Sequence, residues 1–527
     1  MANQGKRYMR MTDPEPEETL LPLWQKLCFA VGGVPYQMTT TVIGFFLNIF
    51  LLEVAELRPG YVAIVLFSGK AWDAVTDPTC GFLVQRTRTR WGRLRPWILF
   101  SAPFAVSTYF LLFYVPGKYK EEIEEGRNPT TDISMEGRLG YYLVMFCLFE
   151  GFLSCLHVPY TSLTMLVTTK QKERDSVTAF RMVFEAVGVL AAVVIQGQLV
   201  ADTRCNGEED IEKKRTIQDM IDQEWAYRTG SFIVVGLYLV CCLTVFFGVK
   251  EKEPTENDAQ ETTGFFAGLK LVFSYGPYMK AAMAFLFLSL AVGIVQGNVA
   301  LYCTHSLKMG GSFSLFVLVL LSISIVSMPV WQCIVVRFGK KKAYAAGMIL
   351  LIPTFSSLMY IPEKSMAAFY VVIVFAGFGI SVALLLPWSV LPDVLDLFML
   401  EKKTRQDAIF YAFYVFFNKL AIGLGLGLSQ LALSVGGYKT GECHQPSSVG
   451  ETLRLLVTPA PVVCVLIALI FLWLYPIDEK RRMQIRQDIL LYQERTQPPL
   501  DASQATMSYE SITVPAAATT SNDITHL

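Results

Sequence analysis

The chain has 527 residues, of which 53% are hydrophobic and only 17% charged, with a mean hydropathy of +0.41. Basic and acidic residues balance at 45 each. Average soluble chains carry roughly 25% charged residues. The composition therefore excludes an ordinary soluble enzyme, a disordered chain and a small disulfide scaffold, and no basic excess points to nucleic acid.

Residues 1–26 are polar, with Pro14 and Pro16 among several acids, and show no signal-peptide pattern. Twelve apolar runs follow, at roughly 27–53, 60–84, 97–116, 139–168, 177–200, 230–249, 278–303, 312–336, 343–361, 367–392, 409–435 and 453–475. About 20 apolar residues suffice for a helix to cross a bilayer core of roughly 30 Å. The reading is an all-α membrane protein of twelve transmembrane helices. Short loops rich in base should face the cytoplasm. Those loops hold Arg86 to Arg95, Lys170 to Arg174 and Arg337 to Lys342, so both termini are expected in the cytoplasm.

The two halves repeat. Arg90-Trp91-Gly92-Arg93 has a counterpart in Arg337-Phe338-Gly339-Lys340, each just past the second span of a half. Pro159-Tyr160-Thr161-Ser162-Leu163 has one in Pro387-Trp388-Ser389-Val390-Leu391, each read as ending the fourth span. This gives a tail at 1–26, a six-helix half at 27–250, a charged linker with an amphipathic stretch at 251–277, a second half at 278–476 and a partly disordered tail at 477–527. Two such pseudo-repeats resemble the major facilitator superfamily fold.

The informative residues are charges inside spans. An acid at mid-membrane costs roughly 2.5–3.5 kcal/mol. Asp73 and Asp77 share one helix face of span 2, with Lys70 one turn before. They must meet cations, and Lys419 on span 11 or a bound ion can serve. Oxygen ligands suit a hard ion such as sodium. A proton is the other candidate, because like charges held close favour protonation of one. A static salt bridge between spans 2 and 11 is the structural alternative.

Arg181 and Glu185 form a second interior pair on span 5; a guanidinium suits phosphate, although the pair could simply brace its helix. Glu150 and His157 share a face of span 4, where an interior histidine is usually a packing residue. Gly423 and Gly427 give span 11 a close-packing face. Cys205 and Cys443 lie in corresponding outer loops, where an oxidising exterior would let them pair. Basic residues after the last span, Lys480 to Arg482, could touch anionic lipid headgroups or stay solvated. No Walker loop, zinc spacing or nucleophile elbow occurs, so the chain reads as no enzyme, without a cofactor, driven by an ion gradient.

Motifs along the chain complete the reading. Gly32-Gly33-Val34-Pro35-Tyr36, Ala71-Trp72-Asp73-Ala74-Val75-Thr76-Asp77-Pro78, His157-Val158-Pro159-Tyr160, Glu173-Arg174-Asp175-Ser176, Leu386-Pro387-Trp388-Ser389 and Tyr475-Pro476-Ile477-Asp478-Glu479 closely resemble the sodium-dependent lysophosphatidylcholine symporter 1 family, over about residues 24–485. Bacterial melibiose permeases are the more distant relatives. The resemblance implies a monomeric plasma-membrane protein, also in the endoplasmic reticulum. It would move lysophosphatidylcholine, including long polyunsaturated species, from outer to inner leaflet with sodium. It further implies sodium at Asp73 and Asp77, a supporting hydroxyl from Ser154, Lys419 as the span-11 lysine, and Arg181 and Glu185 near the headgroup. Cys205 and Cys443 match that family's extracellular disulfide. One departure is Gln296, where the family has a glutamate near the headgroup; an amide cannot pair with choline's charge as a carboxylate does. A sphingosine-1-phosphate exporter of the same family and an ion-independent scramblase are the competing readings.

Overall fold

The computed structural model describes residues 21–117, 133–167, 171–201, 217–251, 265–404, 406–440, 442 and 444–496. Cys205 and Cys443, the expected disulfide partners, lie outside the described residues.

The first crossing is segmented. α1 (Leu23–Val31) and α2 (Val34–Val42) flank Gly32 and Gly33, and two π-helical turns follow, Ile43–Leu47 and Phe50–Val54. The other crossings of the first half are α3 (Pro59–Arg86), α4 (Arg95–Leu112), α5 (Met135–Val167), α6 (Gln171–Ala201) and α7 (Ile217–Gly248). The amphipathic stretch of the linker forms a short helix, α8 (Phe265–Ser274). The second half holds α9 (Gly276–Leu301), α10 (Phe313–Phe338), α11 (Lys340–Ser357), α12 (Met366–Lys402) and α13 (Asp407–Val435). Its last crossing divides at Thr458, ahead of Pro459 and Pro461, into α14 (Ser447–Val457) and α15 (Pro459–Leu474); α16 (Glu479–Thr496) is the polar helix beyond it.

Among the described residues, nine helices are long and apolar enough to cross a membrane by length and composition. The remaining three of the twelve crossings have physical reasons to score lower. The first is segmented, α3 carries Lys70, Asp73 and Asp77, and α4 has 18 residues beginning at Arg95. One expectation is corrected. The fourth span of the first half ends where expected, with α5 reaching Val167, but that of the second half does not stop near residue 392; α12 runs past Pro387 and Pro392 to Lys402. Neighbouring helices can satisfy the backbone groups that an interior proline frees.

The repeat is geometric as well as sequential. A π turn also extends α9, at Tyr302–Ser306, as in the corresponding first crossing. Gly92 and Gly339 both take positive φ, +109° and +86°, where side chains are strained. Each abuts a glutamate from just beyond the last helix of its own half, Glu251 or Glu479. The Glu251 carboxylate accepts the amides of Arg93, Leu94 and Arg95 at 2.6, 2.9 and 2.6 Å, which caps the start of α4.

The halves meet along α3 and α13, α6 and α10, and the first crossing and α9. Three polar contacts tie them at the side opposite the termini. Asn48 donates to the Gly297 carbonyl at 2.7 Å, Ser314 donates to the Gly197 carbonyl at 3.1 Å, and Glu53 lies 3.2 Å from His305.

Gly92→Ala should cost about 1–3 kcal/mol, since it combines a strained backbone with a Cβ placed 2.6 Å from the Glu251 carboxyl carbon. Gly60→Ala, at an ordinary φ with open space around it, is the control. Thermal unfolding of the purified variants checks this; equal midpoints for the two would contradict it.

Candidate functional site

The site starts from a spacing. Residues four apart on a helix face the same way, so Asp73 and Asp77 of α3 present two carboxylates toward α13. Lys419 of α13 lies between them. Its ammonium donates to Asp73 Oδ1 at 2.7 Å and to Asp77 Oδ2 at 2.5 Å. This one cation joins the two halves of the molecule. The helices come close enough because α13 offers glycine toward α3: a Cβ at Gly423 would lie 2.9 Å from Lys70 Cβ, and one at Gly427 3.3 Å from Phe67 Cβ.

The neighbouring helix α5 completes the cluster. Ser154 donates to Asp73 Oδ1 at 3.0 Å, and its oxygen lies 3.0 Å from the Thr76 hydroxyl. Lys70 donates to Glu150 Oε1 at 2.6 Å, and Glu150 is fully buried. Two carboxylate oxygens of this cluster, Asp77 Oδ1 and Glu150 Oε2, are buried without a hydrogen-bond partner among the described residues. Buried acceptors of this kind are costly to leave unmatched. Asp77 Oδ1, Asp73 and the Ser154 and Thr76 hydroxyls are an all-oxygen donor set, the chemistry a hard cation prefers.

Other sequence-derived residues separate into distinct places. His157 stacks on Tyr36, with ring centroids 3.6 Å apart and planes at 11°, so here it is a packing residue. Arg181 donates to Glu185 Oε1 at 2.6 Å and lies over the Tyr160 ring at 5.2 Å. Tyr160 is fixed in turn by its hydroxyl on the Phe29 carbonyl at 2.9 Å. Glu185 packs on Gly33, where a Cβ would come within 2.6 Å of its side chain. Gln296 packs instead on Gly44, where a Cβ would lie 2.3 Å from its amide nitrogen. Gly33 and Gly44 are eleven residues apart on the first crossing, or about 16 Å along a helix. Gln296 thus stands at a different height from the Arg181–Glu185 pair.

Sequence reasoning gave no role to two contacts. Thr76 adds a hydroxyl to the cluster and was legible only as part of its motif. Glu53 and His305, both buried, meet across the halves at the side opposite the termini. Their equivalent positions at the ends of the first and seventh crossings were the available signal.

Residues 28–479 match the family described as MFS/sugar transport protein. The chain is 43% identical to sodium-dependent lysophosphatidylcholine symporter 1-A of Danio rerio, covering 90% of each chain. It is 39% identical to sodium-dependent lysophosphatidylcholine symporter 1 of Homo sapiens, over 90% of this chain and 89% of that one. It is 37% identical to the sphingosine-1-phosphate transporter MFSD2B of Xenopus tropicalis, over 93% and 95%. Among solved structures it resembles a bacterial homologue of the human lysosomal transporter Spinster in an inward-facing, unoccupied conformation, with a TM-score of 0.59, 13% identity and coverage of 88% and 97%. At that identity the likeness establishes the fold: two six-helix halves of the major facilitator type.

Lys419→Met leaves two buried carboxylates without their cation. Removing one partner of such a pair typically costs about 3–5 kcal/mol. The unfolding midpoint should fall, and adding Asp73→Asn should restore part of the loss. An unchanged midpoint in Lys419→Met would show that the pair contributes nothing to the fold.

Proposed function

The chain belongs to the MFS/sugar transport protein family, and from that premise we propose that it is a sodium-coupled symporter of lysophosphatidylcholine, long polyunsaturated species included. It takes the lipid from the outer leaflet and delivers it to the inner leaflet by alternating access. It is a transporter without a catalytic step. It works as a monomer in the plasma membrane, with a further pool in the endoplasmic reticulum and both termini in the cytoplasm. The relatives' names support the substrate and the ion.

The observation that carries the coupling is the Lys419 ammonium held by Asp73 and Asp77 across the halves. Sodium entering this oxygen cluster displaces Lys419. The inter-half ion pair opens, and the halves are released to rock about the glycine-lined contact of α3 and α13. When sodium leaves, Lys419 returns and offsets one of the two negative charges while donating to both acids, so the empty carrier does not hold two bare carboxylates in the membrane. Fixed charges of this kind cost too much in lipid to remain unpaired.

The substrate phosphate meets Arg181, whose planar fork suits two phosphate oxygens, in competition with Glu185. Gln296, about 16 Å away by helix rise, meets a different part of an extended lipid rather than the same phosphate. This height difference fits a long lysophospholipid. Sphingosine-1-phosphate release by the same cluster is the second reading, supported by the 37% relative. An ion-independent scramblase gives the Lys419 arrangement no task.

Uptake of labelled lysophosphatidylcholine into vesicles holding the purified protein tests the proposal. Replacing sodium by choline, or introducing Asp73→Asn or Asp77→Asn, should lower uptake at least about tenfold, since a lost charged contact is commonly a matter of 1.5–3 kcal/mol. Undiminished uptake without sodium would remove the mechanism. Preferential sodium-independent export of sphingosine-1-phosphate would favour the second reading.

Arg181→Lys keeps the charge and loses the bidentate fork. It should raise KM for the lipid severalfold while sodium dependence persists. Measured uptake against lipid concentration decides this, and an unchanged KM would take Arg181 out of the headgroup site.

A further inference from the structure

A second site lies away from the transport cluster, at the end of the C-terminal half that faces α16. A groove of about 550 Å³ opens there between the start of α11, the end of α15 and the segment entering α16. That volume is in the range of small-molecule sites, roughly 300–1,000 Å³. Its floor is apolar, with Ala345, Leu469 and Leu472. Trp473, 79% exposed, forms one wall, and Phe338, 54% exposed, another. Aromatic side chains of this exposure are characteristic of the membrane–water boundary.

The rim is cationic. Lys342 and Lys480 are exposed on it, and neither forms an ion pair among the described residues. Two acids line the same groove and are themselves engaged: Asp478 accepts the Arg481 amide at 2.8 Å, and Glu479 pairs with Arg482. Lys341 is also engaged, donating to the Trp473 and Tyr475 carbonyls at 3.1 and 2.5 Å. It thereby staples α11 to the end of α15 and fixes the groove's shape. The corresponding corner of the first half differs, because Glu251 there fills the amides at the start of α4. In the second half the corresponding Glu479 pairs with Arg482 while still abutting Gly339, and the groove opens beside it.

An apolar floor, interfacial aromatics and two uncommitted lysines at one membrane boundary match one kind of occupant. We propose that this groove binds an anionic phospholipid of the leaflet on the side of the C-terminus. Its phosphate sits between Lys342 and Lys480, and its glycerol and first methylenes lie on Leu469, Leu472 and Trp473. The lipid bridges α11 to α16 and holds the polar helix against the bundle. This site is independent of the sodium and Arg181 clusters, so its occupant is a resident lipid and not the cargo.

The test uses the full chain, purified and incorporated into nanodiscs of equal parts phosphatidylserine and phosphatidylcholine. Extracted protein is then examined by native mass spectrometry for retained lipid. Wild type should retain phosphatidylserine over phosphatidylcholine by a factor on the order of ten, the scale expected for two lysines beside an anionic headgroup. Lys342→Gln with Lys480→Gln should abolish the preference. Ala345→Phe, which fills the floor and leaves both lysines, should lower retention of phosphatidylserine to a similar extent. Millimolar inorganic phosphate should not displace the lipid. Equal retention of the two lipids by wild type, or undiminished preference in the double lysine variant, would overturn the proposal. Undiminished retention in a folded Ala345→Phe protein would reduce the site to surface charge, and displacement by phosphate alone would make it a free-anion site; both contradict a lipid groove. The exposed lysine positions carry the test if Ala345→Phe fails to fold. No transport is measured, so this result stands apart from the uptake experiments.

Discussion

Two acids on one face of a membrane helix cannot stay charged without a cation, and the rest of this structure is arranged around that constraint. The cation is Lys419, carried by the opposite half of the molecule. One interaction therefore does two things. It offsets buried negative charge, and it joins the halves to each other. Any process that satisfies Asp73 and Asp77 by another route also removes this ion pair between the halves. The coupling proposed above rests on this: an ion and the Lys419 contact would be alternatives for the same oxygens.

The surroundings make the exchange feasible. Glycines 423 and 427 let α13 approach α3 closely enough for a short ion pair. Ser154 donates to the Asp73 carboxylate, and the Thr76 hydroxyl lies against Ser154. Glu150 absorbs Lys70, so that lysine does not compete for the aspartates. The segmented first crossing and the π turns on the first and seventh crossings sit where the halves touch opposite the termini, near Asn48, Glu53 and His305. π-Helical turns interrupt regular hydrogen bonding and recur at functional sites. Here they lie along the seam between the halves.

Much of this was legible in the sequence, for identifiable reasons. Apolar runs of membrane length fix the number of crossings. The Arg90-Trp91-Gly92-Arg93 repeat exposed the two halves, and its glycine proved to be a backbone necessity, with positive φ in both copies. The i, i+4 spacing of Asp73 and Asp77 forced a cationic partner, and Lys419 was the interior lysine on an opposing span. What stayed hidden depends on contacts between distant segments. No local pattern reveals that Lys70 chooses Glu150 rather than an aspartate. None reveals that His157 stacks on Tyr36, or that Gln296 sits about 16 Å along the helix from Glu185. The end of α12 was misread for a related reason. Proline is a reliable helix stop in water and a poor one in a packed membrane bundle. The groove beside Lys342 and Lys480 was legible only as a basic tail, because its walls come from helices over a hundred residues apart.

The central claim is that sodium and Lys419 compete for Asp73 and Asp77. Equilibrium binding of radioactive sodium to the purified protein measures that competition without any transport step. The account predicts that Lys419→Met binds sodium at least as tightly as wild type, and that Asp77→Asn loses binding. Loss of sodium binding in a folded Lys419→Met protein, or full retention in Asp77→Asn, would contradict it.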